Sequence, residues 1–332
     1  MVRRFILVLL LMAVSPAAWA ENPYGVALWP APGQDLSLMA ARAGALDVAW
    51  FRPPPLYVDR WRPDARCPDC KALAKSGLSV ALVVRNTGRD AMPRRPSAPP
   101  EDVEAYSRVV GAMLDQWHPA LLVVEEEENR LYRFAGTAVD YRKELETACQ
   151  AAHQRNTPCA NGGLSYEAVT AATWLQLLKD GKPDIACDYA KRAFYERLGT
   201  VCAYRRAEDV PPDLREKLLQ GADTLLPIYK AATFLTYVNF RWNGRDAAAL
   251  AQTIDAIGRV TNKPVVSTDL SLRRGDSDPG HVRPLMRAAL AGGMKVAIWT
   301  SADSEDSTAL FDEQGRLRPA GQEFAHQMSG RK

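Results

Sequence analysis

The chain has 332 residues, 47% hydrophobic and 24% charged, with 42 basic against 39 acidic side chains and a formal net charge of +3. So close a balance argues against a partner recognised mainly through phosphate charge, because nucleic-acid binders present a basic face. The length is sufficient for one large α/β barrel with an insertion, or for two ordinary domains, and it can bury a substantial core.

The first twenty residues read as a cleavable secretory signal. Arg3 and Arg4 precede an apolar run from Phe5 to Val14, and Ala18, Trp19 and Ala20 form the small-x-small pattern of a cleavage site. The working molecule is then expected to begin at about Glu21, with 40 basic against 39 acidic residues, in the periplasm or fully secreted. The apolar run is too short for a permanent membrane helix and no later stretch approaches that length, so no integral membrane segment is expected after cleavage.

From residue 21 onward, apolar β-branched runs alternate with helical segments, the pattern of a parallel α/β fold. Strands are expected at Tyr24–Trp29, Leu46–Arg52, Ser79–Arg85, Ala120–Glu127, Cys159–Ser165, Phe234–Phe240, Pro264–Asp269 and Lys295–Thr300. Crossover helices are expected at Leu36–Gly44, Glu101–Trp117, Ala138–Arg155, Asp246–Arg259 and Val282–Ala291, with acidic Glu101 and Asp102 at the positive end of one dipole. Eight strands predict a (β/α)8 TIM barrel as a single domain over residues 21–332. The fifth crossover, about 166–233, is too long for one helix and predicts a helical insertion after strand five, either a lid on the strand-exit face or an elaboration on the barrel's side.

Six cysteines favour disulfides in an oxidising compartment. The local pairing is Cys67 with Cys70, Cys149 with Cys159, and Cys187 with Cys202. A redox dithiol at Cys67 and Cys70, just before a helix near Lys71, is the competing reading, although no thioredoxin-like context accompanies it. No second pair with ligand spacing and no His cluster supports a metal site, and no Gly-rich phosphate loop is present; neither metal nor cofactor is expected.

The most informative stretch is Ala120 to Asn129, where an apolar strand runs into Glu125, Glu126, Glu127 and Glu128. Strict strand alternation places Glu125 and Glu127 on one face and Glu126 and Glu128 on the other. At a barrel strand's exit one such pair enters the mouth, where crowded carboxylates raise a pKa toward that of a general acid; a solvated acidic loop is the plainer alternative. Lys263 to Asp269 is a second apolar strand closing in a carboxylate. Trp299, ending the eighth strand, is a candidate for stacking on a sugar ring. On the sixth strand Tyr237, Asn239 and Arg241 share a face, and Arg85 and Asn86 end the third; each is a candidate mouth-lining residue.

Together these segments resemble the (β/α)8 retaining glycoside hydrolases of the cellulase, xylosidase and mannanase superfamily. There a Glu ending strand four is the acid/base and a Glu ending strand seven the nucleophile. The resemblance covers most of the chain after the signal and operates at motif level. It implies Glu127 as acid/base, Asp269 in the nucleophile place, and Arg52, near the end of strand two, as the nucleophile's support. Glu125, Arg85, Asn86, Tyr237, Asn239, Arg241 and Trp299 would hold sugar or orient the acids. Two departures stand out. Asp269 is one methylene shorter than the family's Glu, and Glu126 stands where the family has a neutral Asn. The sequence therefore leaves two readings: a glycosidase acting on a cell-envelope or extracellular polysaccharide, or an inactive barrel that binds polysaccharide or an envelope-assembly partner.

Overall fold

The structure is a computed structural model that describes residues 22–29, 35–62, 67–88, 96–194, 201–273, 275–276, 278–300 and 309–330; the signal reading concerns residues outside this set. Among the described residues nine strands run in chain order: β1 Tyr24–Ala27, β2 Trp50–Arg52, β3 Leu56–Tyr57, β4 Ser79–Arg85, β5 Leu121–Val124, β6 Cys159–Asn161, β7 Val238–Trp242, β8 Val265–Leu270 and β9 Ala297–Trp299. All pair in parallel, in the order β6-β5-β4-β2-β1-β9-β8-β7, with β3 extending the far end of β4. Isolated bridges between Ala160 and Tyr237 and between Leu164 and Phe240 join the outermost two strands. Eight parallel strands thus close a barrel, as the strand count predicts.

The described helices are α1 Leu36–Ala45, α2 Pro68–Ser76, α3 Val103–Trp117, α4 Ala138–His153, α5 Tyr166–Lys179, α6 Pro183–Ala193, α7 Pro212–Leu219, α8 Ala222–Ala231, α9 Ala247–Thr261, α10 Val282–Ala291 and α11 Pro319–Ser329. Their starts follow local chemistry. Asp102 caps α3 by accepting from the Glu104 and Ala105 amides, both at 2.9 Å, so this helix begins two residues later than its acidic start suggests. Thr137 and Asp140 form a capping box on α4.

Side-chain parity splits the core into two layers. The barrel interior holds Ala27, Trp50, Ala81, Val83, Leu121 and Val123 among others. The alternate residues of the same strands, such as Val26, Phe51, Leu82 and Val124, pack outward beneath the helices. Gly25 on β1 is required by this arrangement, because a Cβ there would lie 2.5 Å from the Trp50 Cβ and 2.7 Å from its carbonyl oxygen.

The long fifth crossover is helical throughout its described parts. α5 packs against β7 and α9, while α8 packs against α4 and α9, which places both in the outer ring between the fourth and sixth crossovers. The crossover also reaches the strand-exit turn after β5, where Asn129 Nδ2 donates to the Gln220 carbonyl at 3.3 Å, the Tyr229 hydroxyl donates to Glu128 and the Arg130 guanidinium pairs with Glu167. Disulfides join Cys67 to Cys70, Cys149 to Cys159 and Cys187 to Cys202. The second ties α4 to β6 deep in the core. The first is a bonded pair at the start of α2. Among the described residues no helix is long and apolar enough to cross a membrane, and no three His, Cys, Asp or Glu side chains converge to hold a metal ion.

Candidate functional site

The acidic run leaves β5 as a tight turn rather than as a continued strand. The strand ends at Val124, and Glu125 and Glu127 take φ of 71° and 47°, in the left-handed region. Two such residues break the alternation, so the expected pairing of Glu125 with Glu127 on one face does not form. Non-glycine residues at positive φ carry strain, which is stored where surrounding contacts over-determine the conformation. Gly162 makes the turn possible, since a Cβ there would meet the Glu125 carbonyl carbon at 2.5 Å.

Glu125 turns away from the mouth into a buried pocket. Its Oε1 accepts from Ser97 Oγ at 2.5 Å and from the Asn86 amide at 3.2 Å, with Arg85 Nε 3.8 Å from Oε2. Burial pushes its pKa up to about 7 against the opposing pull of Arg85, Ser97 and the Asn86 N–H. Glu144, in the middle of α4, lies beside it; burial and then the Glu125 charge hold its pKa far above the ordinary range. The two carboxyls cannot both ionise cheaply, so each charge favours the neutral form of the other. Asn86 belongs to this pocket and not to the mouth, donating to Glu144 Oε1 at 3.2 Å and to the Ala98 carbonyl at 3.1 Å. Glu128 is buried on another side, accepting from Asn161 Nδ2 at 2.7 Å and from the Tyr229 hydroxyl, and burial raises its pKa to about 7.

Glu126, Glu127 and Asp269 remain at the strand-exit mouth, each held by guanidinium groups. Glu126 accepts from Arg52 Nη2 and lies 3.2 Å from Arg85 Nη1. Glu127 Oε2 lies 2.9 Å from Arg133 Nε and 2.8 Å from Arg241 Nη1, and its Oε1 is 3.6 Å from Arg130 Nε. Asp269 Oδ2 lies 2.6 Å from Arg241 Nε and 4.0 Å from Arg52 Nη1, and its Oδ1 accepts from the Thr300 hydroxyl. Register shifts between Asn239 and Arg241 on β7 and between Ser267 and Leu270 on β8 create this meeting. Val265 and Leu270 both face the helix layer although they are five positions apart, an odd offset, so the bulge turns Asp269 inward.

Arg241 therefore spans Glu127 and Asp269 with one guanidinium. Its nitrogens are about 2.3 Å apart by covalent geometry, which caps the gap between the two contacted oxygens at about 8 Å. Burial opposes the Arg241 charge, but Asp269, Glu127 and Glu126 more than offset it and raise its pKa above the ordinary value.

Other candidates take structural places. Asn239 is buried and pins β7 to β8, donating to Thr268 Oγ1 at 2.9 Å and accepting from the Thr268 amide at 3.0 Å. Tyr237 is packed among the apolar residues of the barrel interior, and its pKa is pushed up to about 12 by burial. Trp299 faces the helix layer: its indole is fully buried and meets Phe324 edge-on at 6.0 Å. The expected sugar-stacking place is thus core, as its parity with the inward Ile298 dictates. Arg130, Arg133, Thr300 and Glu144 were not singled out in the sequence. Arg130 and Arg133 follow Glu127 at three and six residues, which is the only local signal they carry.

No protein-family model and no curated protein matches the sequence. Solved structures do match its fold. An endo-β-1,3-glucanase of glycoside hydrolase family 128 from Sorangium cellulosum is 13% identical, with 91% of this chain and 97% of that one covered and a TM-score of 0.52. A family 39 glycoside hydrolase from Bacteroides cellulosilyticus is 11% identical, with 92% of this chain and 63% of that one covered and a TM-score of 0.60. A family 128 oligosaccharide-binding protein from Cryptococcus neoformans is 11% identical, with 94% and 95% covered and a TM-score of 0.51. The class that fold defines is the (β/α)8 barrel found in glycoside hydrolases, in agreement with the sequence motifs. At these identities the likeness is one of fold.

Proposed function

We propose that this chain is an exported barrel that binds a cell-envelope or extracellular polysaccharide at its strand-exit mouth without cleaving it. The observation that carries this reading is Arg241, whose guanidinium lies on both Glu127 and Asp269. A glycosidase needs the space between its two carboxyls for the sugar's anomeric carbon and the glycosidic oxygen. In this chain a positively charged side chain fills that space, and Glu126 adds a third carboxylate tied to Arg52 and Arg85. An oligosaccharide-binding protein shares the barrel with the glucanases, so binding without hydrolysis is compatible with this architecture. Three disulfides support export.

The second reading is hydrolysis, with Glu127 as acid/base and Asp269 in the nucleophile place. It is favoured by the cap of about 8 Å on their separation, which falls within the span of about 5 to 9.5 Å covered by retaining and inverting pairs together. It requires Arg241 to leave when substrate enters.

Calorimetric titration of the purified protein with β-1,3-glucan and other envelope oligosaccharides, alongside a reducing-end assay, separates the two. Binding with no reducing ends released, in wild type and Glu127→Gln alike, is the expected result. Turnover by wild type that disappears in Glu127→Gln would establish the hydrolase. Neither binding nor turnover across the panel would overturn both.

A further inference from the structure

The loop after β5 carries an ordered apolar lip beside the carboxyl cluster. The Arg130 amide donates to the Glu127 carbonyl at 2.8 Å, and the Arg133 and Phe134 amides donate to the Arg130 carbonyl at 2.8 and 2.9 Å. Phe134 is buried, and the Ser97 amide donates to the Arg133 carbonyl at 2.7 Å, so the loop is fixed at both ends. Within it Leu131 and Tyr132 stand 81% and 58% exposed. The Arg130 and Arg133 guanidiniums lie 5.4 and 5.8 Å from the Tyr132 ring centroid. Both arginines are anchored to Glu127, so the ring is held upright by groups wired into the mouth.

Arg133 contributes only its Nε to Glu127, and among the described residues neither Nη has a hydrogen-bond partner. Its side chain is 38% exposed, so these donors lie at the solvent side of the mouth. Around them, five guanidiniums share Glu126, Glu127, Glu167 and Asp269, with the buried Glu125 behind. An ordered aromatic ring beside unused guanidinium donors has two complementary recognition surfaces. One is a flat apolar face, suited to the C–H face of a pyranose. The other is a planar fork suited to a carboxylate.

We propose that Tyr132 and Arg133 form a sugar subsite on the lip of the mouth that takes an acidic pyranose, a uronic-acid residue of an anionic polysaccharide. The pyranose stacks on Tyr132 and its carboxylate accepts from the Arg133 Nη groups. This deepens the glycan-binding reading and rests on it.

The test titrates wild type, Tyr132→Ala and Arg133→Gln with oligogalacturonates and with neutral β-1,3-glucan oligosaccharides of equal length, at about 20 and 200 mM salt. Wild type is expected to bind the oligouronate about tenfold more tightly at low salt, with the preference shrinking at high salt. Arg133→Gln should lose that preference and Arg133→Lys should recover part of it. Tyr132→Ala should weaken both sugars, with Tyr132→Trp restoring them and melting temperatures unchanged at this exposed position. Equal wild-type affinity for both sugars, with Arg133→Gln indifferent, overturns the acidic subsite while leaving glycan binding in place. Binding of neither sugar by wild type overturns both.

Discussion

Arg241 decides what the mouth can do, because among the described residues it is the one side chain in ion-pair contact with both Glu127 and Asp269. Replacing it by Met leaves those carboxylates facing each other with fewer partners, a loss on the order of 3 kcal/mol for a partly buried network. Chemical denaturation should show a midpoint shift of that size, and titration of any glycan bound by wild type should show weaker binding. An undiminished midpoint would mean that Arg133 and Arg52 hold the acids unaided. Glu144 makes a separate prediction. Burial and Glu125 keep it protonated, and Glu144→Gln preserves an acceptor for Asn86 while offering an amide proton to Glu125. The variant is expected to fold, to be at least as stable as wild type at pH 8, and to show a flatter dependence of stability on pH.

At the scale of elements, strand exits and close approaches carry the predictions. Gly25→Ala would place a Cβ 2.5 Å from that of Trp50, in backbone that cannot move without opening the β1–β2 pair. A loss of roughly 3 kcal/mol is expected, measured by urea unfolding, because overpacking in an ordered core is not relieved by a rotamer change. The Cys149–Cys159 bond joins α4 to β6 across ten residues of sequence. Its removal by Cys149→Ser with Cys159→Ser should cost about 3 kcal/mol in the chain-entropy account, and a larger loss would point to the buried serine hydroxyls. The Cys67–Cys70 pair at the start of α2 closes a far shorter loop and should matter less.

For the whole molecule, the buried acids set a pH dependence of definite sign. Glu125 and Glu128 are raised from 4.5 to about 7 in the folded chain, so the folded state binds more protons than the unfolded one between those values. Their stabilisation is complete below about pH 4.5 and is lost as pH rises through about 7, at roughly 3 kcal/mol per carboxyl. The exposed caps Asp102 and Asp140, whose pKa values are held down by backbone N–H bonds, act in the opposite sense only at lower pH. The melting temperature should therefore fall between pH 5 and pH 8, and a rising profile over that window would contradict the buried-acid assignment.

Periodicity and parity made the barrel legible in the sequence. All eight expected strands are present, Ser79–Arg85 with its full bounds, and Val282–Ala291 is a helix over its full bounds, because a strand buried on both faces leaves an unmistakable apolar run. The barrel's closing strands also carried Glu127, Asp269, Arg52, Arg85 and Arg241 to one mouth, as parallel topology requires of residues at strand exits. What the sequence could not decide was which way each acid points. Alternation holds only while the backbone stays extended, and positive φ at Glu125 and Glu127, with an extra residue in β8, reassigns the side chains beyond them. Glu125 and Asn86 went to a buried pocket beside Glu144, Trp299 and Tyr237 to the core, and Arg241 to the space between the two carboxyls. These outcomes depend on contacts between residues tens to hundreds of positions apart, and only the tertiary fold brings those together.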